Sequence, residues 1–455
     1  MALAVGIVHL IRVRQGMVGA LLVFATGFVI LCILNLSLGD KQIDRPLARN
    51  YSVDDPAFER TVGAVLTRDL VGGNHIRTLL NGDEIFPAML SSLRGARRSI
   101  TFETYIFWSS TIGTEFEAAF TAAAKRGVQV KVLVDWIGGE LVEERVERMR
   151  EAGVEVRLYN APRWNTLGRF NNRTHRKLMV VDGTVGFIGG AGIADDWRGN
   201  AQDAQHWRGT HFQVDGPVVA QLQSAFIDNW LKTTGEPLDS PAFLPALTSA
   251  GSLAAHTFAS SPRGGSKSMQ LLYLMSITAA ARSIDLSAAY FVPDEVAVET
   301  LVAAARRGVR VRIIVPGPYM DQESVQHASR AVWEPLLAAG VQIYEFQPTM
   351  FHCKVMVVDG TWVTLGSSNF DARSFSINDE ANLNVYDATF AAEQIAVFER
   401  DLTPAACRDI ELVESALLDG AADRPCIRAR GISTMTTVYV VLDRTSRRSR
   451  CLAPR

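Results

Sequence analysis

Two nonapeptides hold the residues best suited to chemistry in this chain of 455 residues: HRKLMVVDG at 175–183 and HCKVMVVDG at 352–360. They match at seven of nine positions and lie 177 residues apart. Each keeps one histidine, one lysine and one aspartate. Imidazole can attack phosphorus or exchange a proton near neutral pH. An ammonium is a compact charge for phosphate oxygens. LMVVD and VMVVD are apolar, strand-like runs, and in a strand residues i and i+2 share a face. His175 and Lys177 therefore project together, as do His352 and Lys354, while Arg176 and Cys353 point the other way. One such His-x-Lys pair is usually an ordinary surface strand. Its repetition changes that, because lysine is scarce here: seven in all, at 41, 125, 131, 177, 232, 267 and 354, among 46 basic residues. Two of the seven occupy the same place in the two copies.

Glycines follow both copies, as TVGFIGGAG (Gly189, Gly190) and TWVTLGSSN (Gly366, with Ser367 and Asn369). Glycine at a strand end lets backbone approach a ligand closely. Asn369 can donate to a phosphate oxygen and Ser367 can support that contact.

The elements that must position these residues recur in the same order. In the first half, a strand-like SITFETYIFW (99–108) precedes a helical TEFEAAFTAAAKRG (114–127), a strand VQVKVLVDW (128–136), a charged helix ELVEERVERMREAG (140–153) and VEVRLYN. In the second half, SIDLSAAYFVP (283–293), VETLVAAARRG (298–308), VRVRIIVPG (309–317), AVWEPLLAAG (331–340) and VQIYEF answer them. This is duplication at domain scale, not a short solenoid period. Strands alternating with helices predict an α/β fold with largely parallel sheets. The expected divisions are a membrane anchor at 1–40, a linker at 41–71, a first half at 72–245, a second half at 246–403 and a tail at 404–455. The connector between halves falls in the Pro/Ser/Ala/Gly-rich stretch from Leu238 to Gly265. The tail is expected to be peripheral or disordered, with TMTTVYVVL (434–442) able to form a strand.

From Gln15 to Gly39 no residue is charged, and MVGALLVFATGFVILCILNLS is long enough to cross a bilayer as one helix. A cleaved signal peptide would have a shorter apolar region and a small-residue cleavage site, so a retained single-pass anchor is expected. Arg12 and Arg14 lie closer to the apolar edge than Lys41, Arg45 and Arg49, which places the N-terminus inside and the catalytic region outside. Formal net charge is −2, which lacks the basic excess of a nucleic-acid binder. The five cysteines (32, 353, 407, 426 and 451) form no CxxC or Cys/His cluster, so neither a disulfide framework nor structural zinc is expected.

The doubled pattern H-x-K-x4-D-x6-G-[GS] resembles the phospholipase D superfamily. The supporting stretches are NHIRTLLNGDEIFPAML, FETYIFW, DGPVVAQLQSAFIDNW, AYFVPDE and GSSNFDARSFSINDEANL. With the anchor, they resemble bacterial cardiolipin synthases and related phosphatidyltransferases of the inner membrane, over roughly residues 72–403. The resemblance implies two phospholipase D-like α/β/α halves about a pseudo-twofold axis, with one active site between them and no metal or cofactor. One histidine attacks the phosphodiester and the other exchanges protons with the alcohols. Lys177, Lys354 and Asn369 would hold the nonbridging oxygens, while Asp182 and Asp359 would brace the motif loops. Family habit makes His175 the nucleophile.

Glu380, 28 residues after His352, matches the carboxylate that orients a histidine and is expected to serve His352. The first half departs from the pattern: Gly209 follows Trp207 and Arg208 where an aspartate is expected, and Gly192 replaces an asparagine. His175 is therefore expected either to lack a carboxylate or to use another acid such as Asp203. The substrates implied are bilayer phospholipids, phosphatidylglycerol foremost. Two further readings stand beside transfer: hydrolysis to phosphatidic acid by the same residues, and a lipid-binding protein with a weakened first half-site.

Overall fold

The structure, a computed structural model, describes residues 17, 19–29, 43, 45–66, 69–139, 143–161, 172–261 and 268–408. Residues 1–42 form a unit of their own, of which 17 and 19–29 are described and helical. The rest of the expected anchor lies outside the described residues. Among the described residues no helix is long and apolar enough to cross a membrane.

Residues from Ile43 onward form the second unit, whose described residues are built on one sheet of fifteen strands. The first half supplies β1 (Val71–Leu80), β2 (Ser99–Thr104), β3 (Gln129–Asp135), β4 (Glu155–Tyr159), β5 (Leu178–Val181), β6 (Val185–Gly189) and β7 (Thr210–Asp215). The second supplies β8 (Leu253–Ser260), β9 (Ser283–Ala288), β11 (Arg310–Pro316), β12 (Gln342–Phe346), β13 (Lys354–Val358), β14 (Trp362–Gly366), β16 (Glu380–Tyr386) and β17 (Ala405–Arg408). A separate two-stranded piece pairs β10 (Phe291–Val292) with β15 (Phe370–Asp371). Across the large sheet the order is β17-β12-β11-β9-β13-β14-β16-β8-β1-β7-β6-β5-β2-β3-β4. Apart from β17, that order reads the same from either end, with the halves meeting at the β8–β1 pair.

The expectation of largely parallel sheets is corrected. Among the described residues of the large sheet, only β2–β3–β4 and β9–β11–β12 are parallel, because helical crossovers carry those strands. The motif strands arrive as hairpins, β5–β6 and β13–β14, so their pairings are antiparallel. Asp182-Gly183 and Asp359-Gly360 make the hairpin turns, with φ of 53° and 68° in one and 54° and 67° in the other. Two successive left-handed residues define the turn whose twist matches the flanking strands, and Asp-Gly is a favoured pair for it.

Among the described residues of the second unit, eleven helices cover the sheet: α1 (Pro56–Leu66), α2 (Asn81–Gly95), α3 (Thr111–Lys125), α4 (Glu143–Glu151), α5 (Val219–Thr234), α6 (Ser268–Ala279), α7 (Glu295–Arg306), α8 (Glu323–Arg330), α9 (Trp333–Ala338), α10 (Ala372–Ser376) and α11 (Ala388–Leu402). Ser110 caps α3 and Asp294 caps α7 through side-chain bonds to backbone N–H groups. The repeated "RG" after each helix also has a structural role. Arg126 donates to the carbonyls of Leu93, Arg94 and Ala96 at the C-terminal end of α2, and Arg307 does the same for Ile277, Thr278 and Ala280 at that of α6.

Two segments are more structured than the sequence suggested. The expected linker carries α1, whose Phe58 meets Trp362 edge-on in the second-half core. The expected connector contains β8, an inner strand of the sheet. At the start of the tail, Ala405–Arg408 pair with β12 as β17; TMTTVYVVL lies outside the described residues. Between the halves a shared apolar core packs Ile76, Leu178, Ile188 and Phe212 with Val357, Leu365, Leu383 and Phe390. The two halves are therefore one folding unit.

Candidate active site

The two histidines precede their strands, β5 and β13, at the interface of the halves. Each is fixed by backbone from the opposite half. His175 N donates to the carbonyl of Asp379 at 2.9 Å, and Asp379 N donates to that of Arg173 at 2.8 Å. Symmetrically, His352 N donates to the carbonyl of Arg208 at 2.7 Å, and Arg208 N to that of Met350 at 2.9 Å. The bridges Thr174–Asp379 and Phe351–Arg208 mark the same crossing. A buried layer supports it: Tyr159 donates to the Asp379 carboxylate and Thr174 to Glu103, which also accepts from Asn229 at 2.7 Å. Burial pushes the Glu103 carboxyl up to about 7.

The partner of Glu380 is His175, not His352. Both Glu380 oxygens lie 3.0 Å from His175 Nδ1. Ser367 Oγ donates to Glu380 Oε2 at 2.5 Å and Asn378 Nδ2 to Oε1 at 3.4 Å. The expectation that Glu380 serves the histidine of its own half is thus corrected, and so is the role of Ser367, whose hydroxyl holds Glu380. Burial works against a charged Glu380, but His175, Lys177 and the Ser367 hydroxyl outweigh it and hold the carboxyl below the usual range. Burial likewise lowers the His175 imidazole against the pull of Glu380. An ionised carboxylate facing Nδ1 places the imidazole proton there and leaves the Nε2 lone pair outward.

His352 has different neighbours. Register makes the correspondence explicit: Gly366 pairs with Asn382 in one half, and Gly189 with His211 in the other. Glu380 and Gly209 each stand two residues before those partners, so Gly209 occupies the place a carboxylate would need. Trp197, from a 3-10 turn at Asp195–Trp197, fills that space; a Cβ on Gly209 would lie 3.3 Å from its Cδ1. Trp197 meets His352 edge-on at 5.1 Å and Trp207 lies tilted on it at 5.5 Å, while the two indoles are 4.4 Å apart. Gly192, the counterpart of Asn369, is closed in by the same packing, since a Cβ there would meet Ile106 Cβ at 2.8 Å and Trp197 Cζ3 at 3.2 Å. Burial and the charges of Lys354 and Lys177 hold His352 well below the ordinary histidine value. Asp203 is remote in role: it accepts from His206 and from Gln205 N at the surface.

The lysines complete the site. Lys354 Nζ lies 3.3 Å from both ring nitrogens of His352, and Lys177 Nζ donates to the carbonyl of His175 at 2.9 Å. Burial, with mutual repulsion, brings Lys177 down to about 7; burial brings Lys354 down to about 8. Asn369 is buried, and its Oδ1 has no hydrogen-bond partner among the described residues. Asp182 and Asp359 are at the far ends of the motif strands. Each accepts backbone N–H bonds from the three residues entering the neighbouring strand, 97–99 for Asp182 and 281–283 for Asp359. They hold the strand entries and lie away from the histidines and lysines.

Sequence reasoning assigned no role to Tyr105, although FETYIFW was among the marked stretches. Its ring lies 5.5 Å from that of His175, with Lys177 Nζ 5.7 Å above it. An aromatic directly after a buried strand was the available signal. His211 was also missed: it is buried beside Lys177, neither ring nitrogen has a partner among the described residues, and burial drives it to about 3.

Comparison with known proteins agrees with this geometry. The family described as cardiolipin synthase, PLD-like domain, matches residues 89–206 and 273–402, one segment per half. Cardiolipin synthase 2 of Bacillus cereus is 35% identical over 368 residues, spanning 80% of this chain and 71% of that protein. Cardiolipin synthase A of Pseudomonas fluorescens is 35% identical over 326 residues, spanning 71% and 67%. A crystal structure of phosphatidylserine synthase from Haemophilus influenzae shares the fold with a TM-score of 0.61 at 16% identity, covering 80% of this chain and 97% of that one. The chain belongs to the phospholipase D-like family of cardiolipin synthases.

Proposed function

We propose that the chain is a phosphatidyltransferase working through a phosphohistidine on His175. The observation that carries this is the seat of His175 Nδ1 between the two oxygens of Glu380, 3.0 Å from each. It leaves Nε2 as a nucleophile of fixed orientation. A phosphodiester entering the site meets Lys177, Lys354 and Asn369, which take its nonbridging oxygens. Its negative charge also favours the imidazolium form of His352. His175 Nε2 forms the N–P bond as the P–O bond to the leaving alcohol breaks, and His352 gives that alcohol its proton. In the second step His352 takes the proton of the incoming alcohol, whose oxygen bonds to phosphorus as the N–P bond breaks.

The donor is a membrane phospholipid, with phosphatidylglycerol as both donor and acceptor, giving cardiolipin and glycerol. The charge-free stretch from Gln15 to Gly39 would hold the catalytic unit at the bilayer, on the outer face of the inner membrane. Purified protein on phosphatidylglycerol vesicles should release glycerol and form cardiolipin, read by mass spectrometry. Phosphatidic acid alone would identify a hydrolase. No product from well-folded protein would reject the enzyme reading.

A further inference from the structure

His211 is a buried titratable group that the reaction steps above leave without a task. It lies on β7, and neither Nδ1 nor Nε2 has a hydrogen-bond partner among the described residues. A buried polar side chain without a bond weakens a fold, so its presence calls for a reason. Strand register shows where it stands. Between β5 and β6, Leu178 pairs with Ile188, which sets the adjoining residues Lys177 and Gly189 opposite one another. Between β6 and β7, Gly189 pairs with His211. Lys177, Gly189 and His211 thus form one row across three strands, on one face, with the glycine in the middle. A Cβ on Gly189 would lie 2.7 Å from His211 Nδ1 and 2.8 Å from Cγ, so the ring leans over β6 toward β5. Neighbouring strands are about 4.8 Å apart, and the ring and the lysine stem reach over the glycine from its two sides.

The second half repeats this row with another residue. Val355 pairs with Leu365 and Gly366 with Asn382, so Lys354, Gly366 and Asn382 correspond to Lys177, Gly189 and His211. A Cβ on Gly366 would lie 2.6 Å from Asn382 Oδ1. Asn382 is occupied, however: its Nδ2 donates to Tyr273 Oη at 3.2 Å and its Oδ1 accepts from Ser368 N at 3.3 Å. In the first half Ala191 stands where Ser368 does. Met89, four residues before the Leu93 carbonyl that Arg126 holds, stands where Tyr273 precedes that of Ile277. His211 thus keeps both ring nitrogens unused, and burial keeps the imidazole neutral, with one lone pair to offer.

Lys177 has N–H groups to spare. Its ammonium donates to the His175 carbonyl at 2.9 Å and lies 5.7 Å from the centre of the Tyr105 ring. The charges that act on it are those of Glu380, Lys354 and Asp135. An ammonium carries three donors on a flexible stem. We propose that His211 is a positioning residue for Lys177: with phosphate in the site its imidazole accepts one N–H of the ammonium over Gly189, the His175 carbonyl keeps a second, and the third is aimed at a nonbridging oxygen. This deepens the phosphatidyltransfer reading, on which it rests for the identity of the ligand.

Phosphate binding tests this apart from catalysis. Inorganic phosphate is titrated by calorimetry into the full chain in detergent at pH 7. His211→Leu removes the acceptor and keeps an apolar filling, and should weaken phosphate about tenfold, the scale of one lost charge-assisted contact. Its thermal midpoint should hold or rise, because an unbonded buried polar group has gone. His211→Asn, which supplies the residue that fits the same row in the second half, should recover most of the affinity. In a Lys177→Met background, His211→Leu should change affinity by less than about twofold, since the effect runs through the ammonium. Unchanged affinity in His211→Leu, equal losses in the Leu and Asn variants, or the same tenfold loss without Lys177 overturns the role. A Leu variant that is destabilised or does not fold makes His211 a packing residue and overturns it as well. Cardiolipin formation is measured separately: a parent that binds phosphate with these changes but makes no cardiolipin upholds His211 and rejects the transferase reading.

Discussion

Glu380 and His175 stand 205 residues apart in sequence and in opposite halves, yet both carboxylate oxygens lie 3.0 Å from one ring nitrogen. The carboxylate of the second repeat thus orients the imidazole of the first. His352, in the second repeat, faces the indoles of Trp197 and Trp207 instead. The site has unlike halves.

Glu380→Gln should therefore lower turnover by about a hundredfold or more, since an orienting partner that no longer fixes the productive tautomer costs at least that much in comparable dyads. The readout is cardiolipin formation, together with the yield of acid-quenched phosphoprotein. A loss below about threefold would remove Glu380 from this role.

The two histidines should separate with a substrate whose leaving group needs no proton. On a p-nitrophenyl phosphodiester, His352→Ala should still form the covalent adduct, detected by intact-protein mass, while turning over slowly. His175→Ala should form none. Adduct on the His175 variant would reverse the assignment.

Gly209→Asp should give His352 the carboxylate it lacks. A negative charge beside an imidazole favours the protonated form and raises its pKa. The alkaline limb of the pH–rate profile for the step that releases the alcohol, where His352 must hold its proton, should therefore move to higher pH. The new side chain must also displace Trp197, 3.3 Å from the added Cβ, so the thermal midpoint should fall. An unmoved alkaline limb in a folded variant would show that the indole packing, not the missing charge, governs His352.

The lysines give a pH dependence of their own. Lys177 is brought down to about 7 and Lys354 to about 8, so the free site loses positive charge as pH rises through that range. Competitive inhibition by inorganic phosphate should weaken at least about fivefold between pH 8 and pH 9, the fall expected of a group titrating near 8. Constant affinity over that interval would mean the ammonium groups keep their usual values.

Asp182→Ala and Asp359→Ala should act on stability. Each removes a carboxylate that accepts several backbone N–H bonds at a strand entry, and the loss should be about 1–3 kcal/mol apiece. Urea unfolding measures it. Activity per folded molecule should stay near that of the parent.

The sequence carried the motif pairs, their shared face and the two-fold repetition of elements, because all three are local patterns written in side-chain period and spacing. Pairing across the sheet was not written there. Glu380 is 28 residues from His352 in the chain, so proximity in sequence favoured the wrong histidine. Only the strand order, with β16 and β7 each returning toward the opposite half, reveals the exchange. Gly209 and Gly192 were visible as departures, but the space they leave is filled by Trp197, from a turn with no periodic signal. Helix α1 hid for a related reason: a segment that docks on an existing core needs few apolar residues of its own, here Phe58, Val62 and Leu66.

The exchange of partners also bears on how such a chain can vary. A repeat standing alone would hold a histidine without the strand that seats it; only a pair closed about the two-fold axis makes a whole site. Were the two repeats identical chains, any substitution would strike both histidines at once. Fused into one polypeptide, each position exists in two independently mutable copies, and a change in one repeat is felt by the imidazole of the other. That is what allows position 209 to be glycine while position 380 remains glutamate, and it lets one imidazole specialise without disarming its twin.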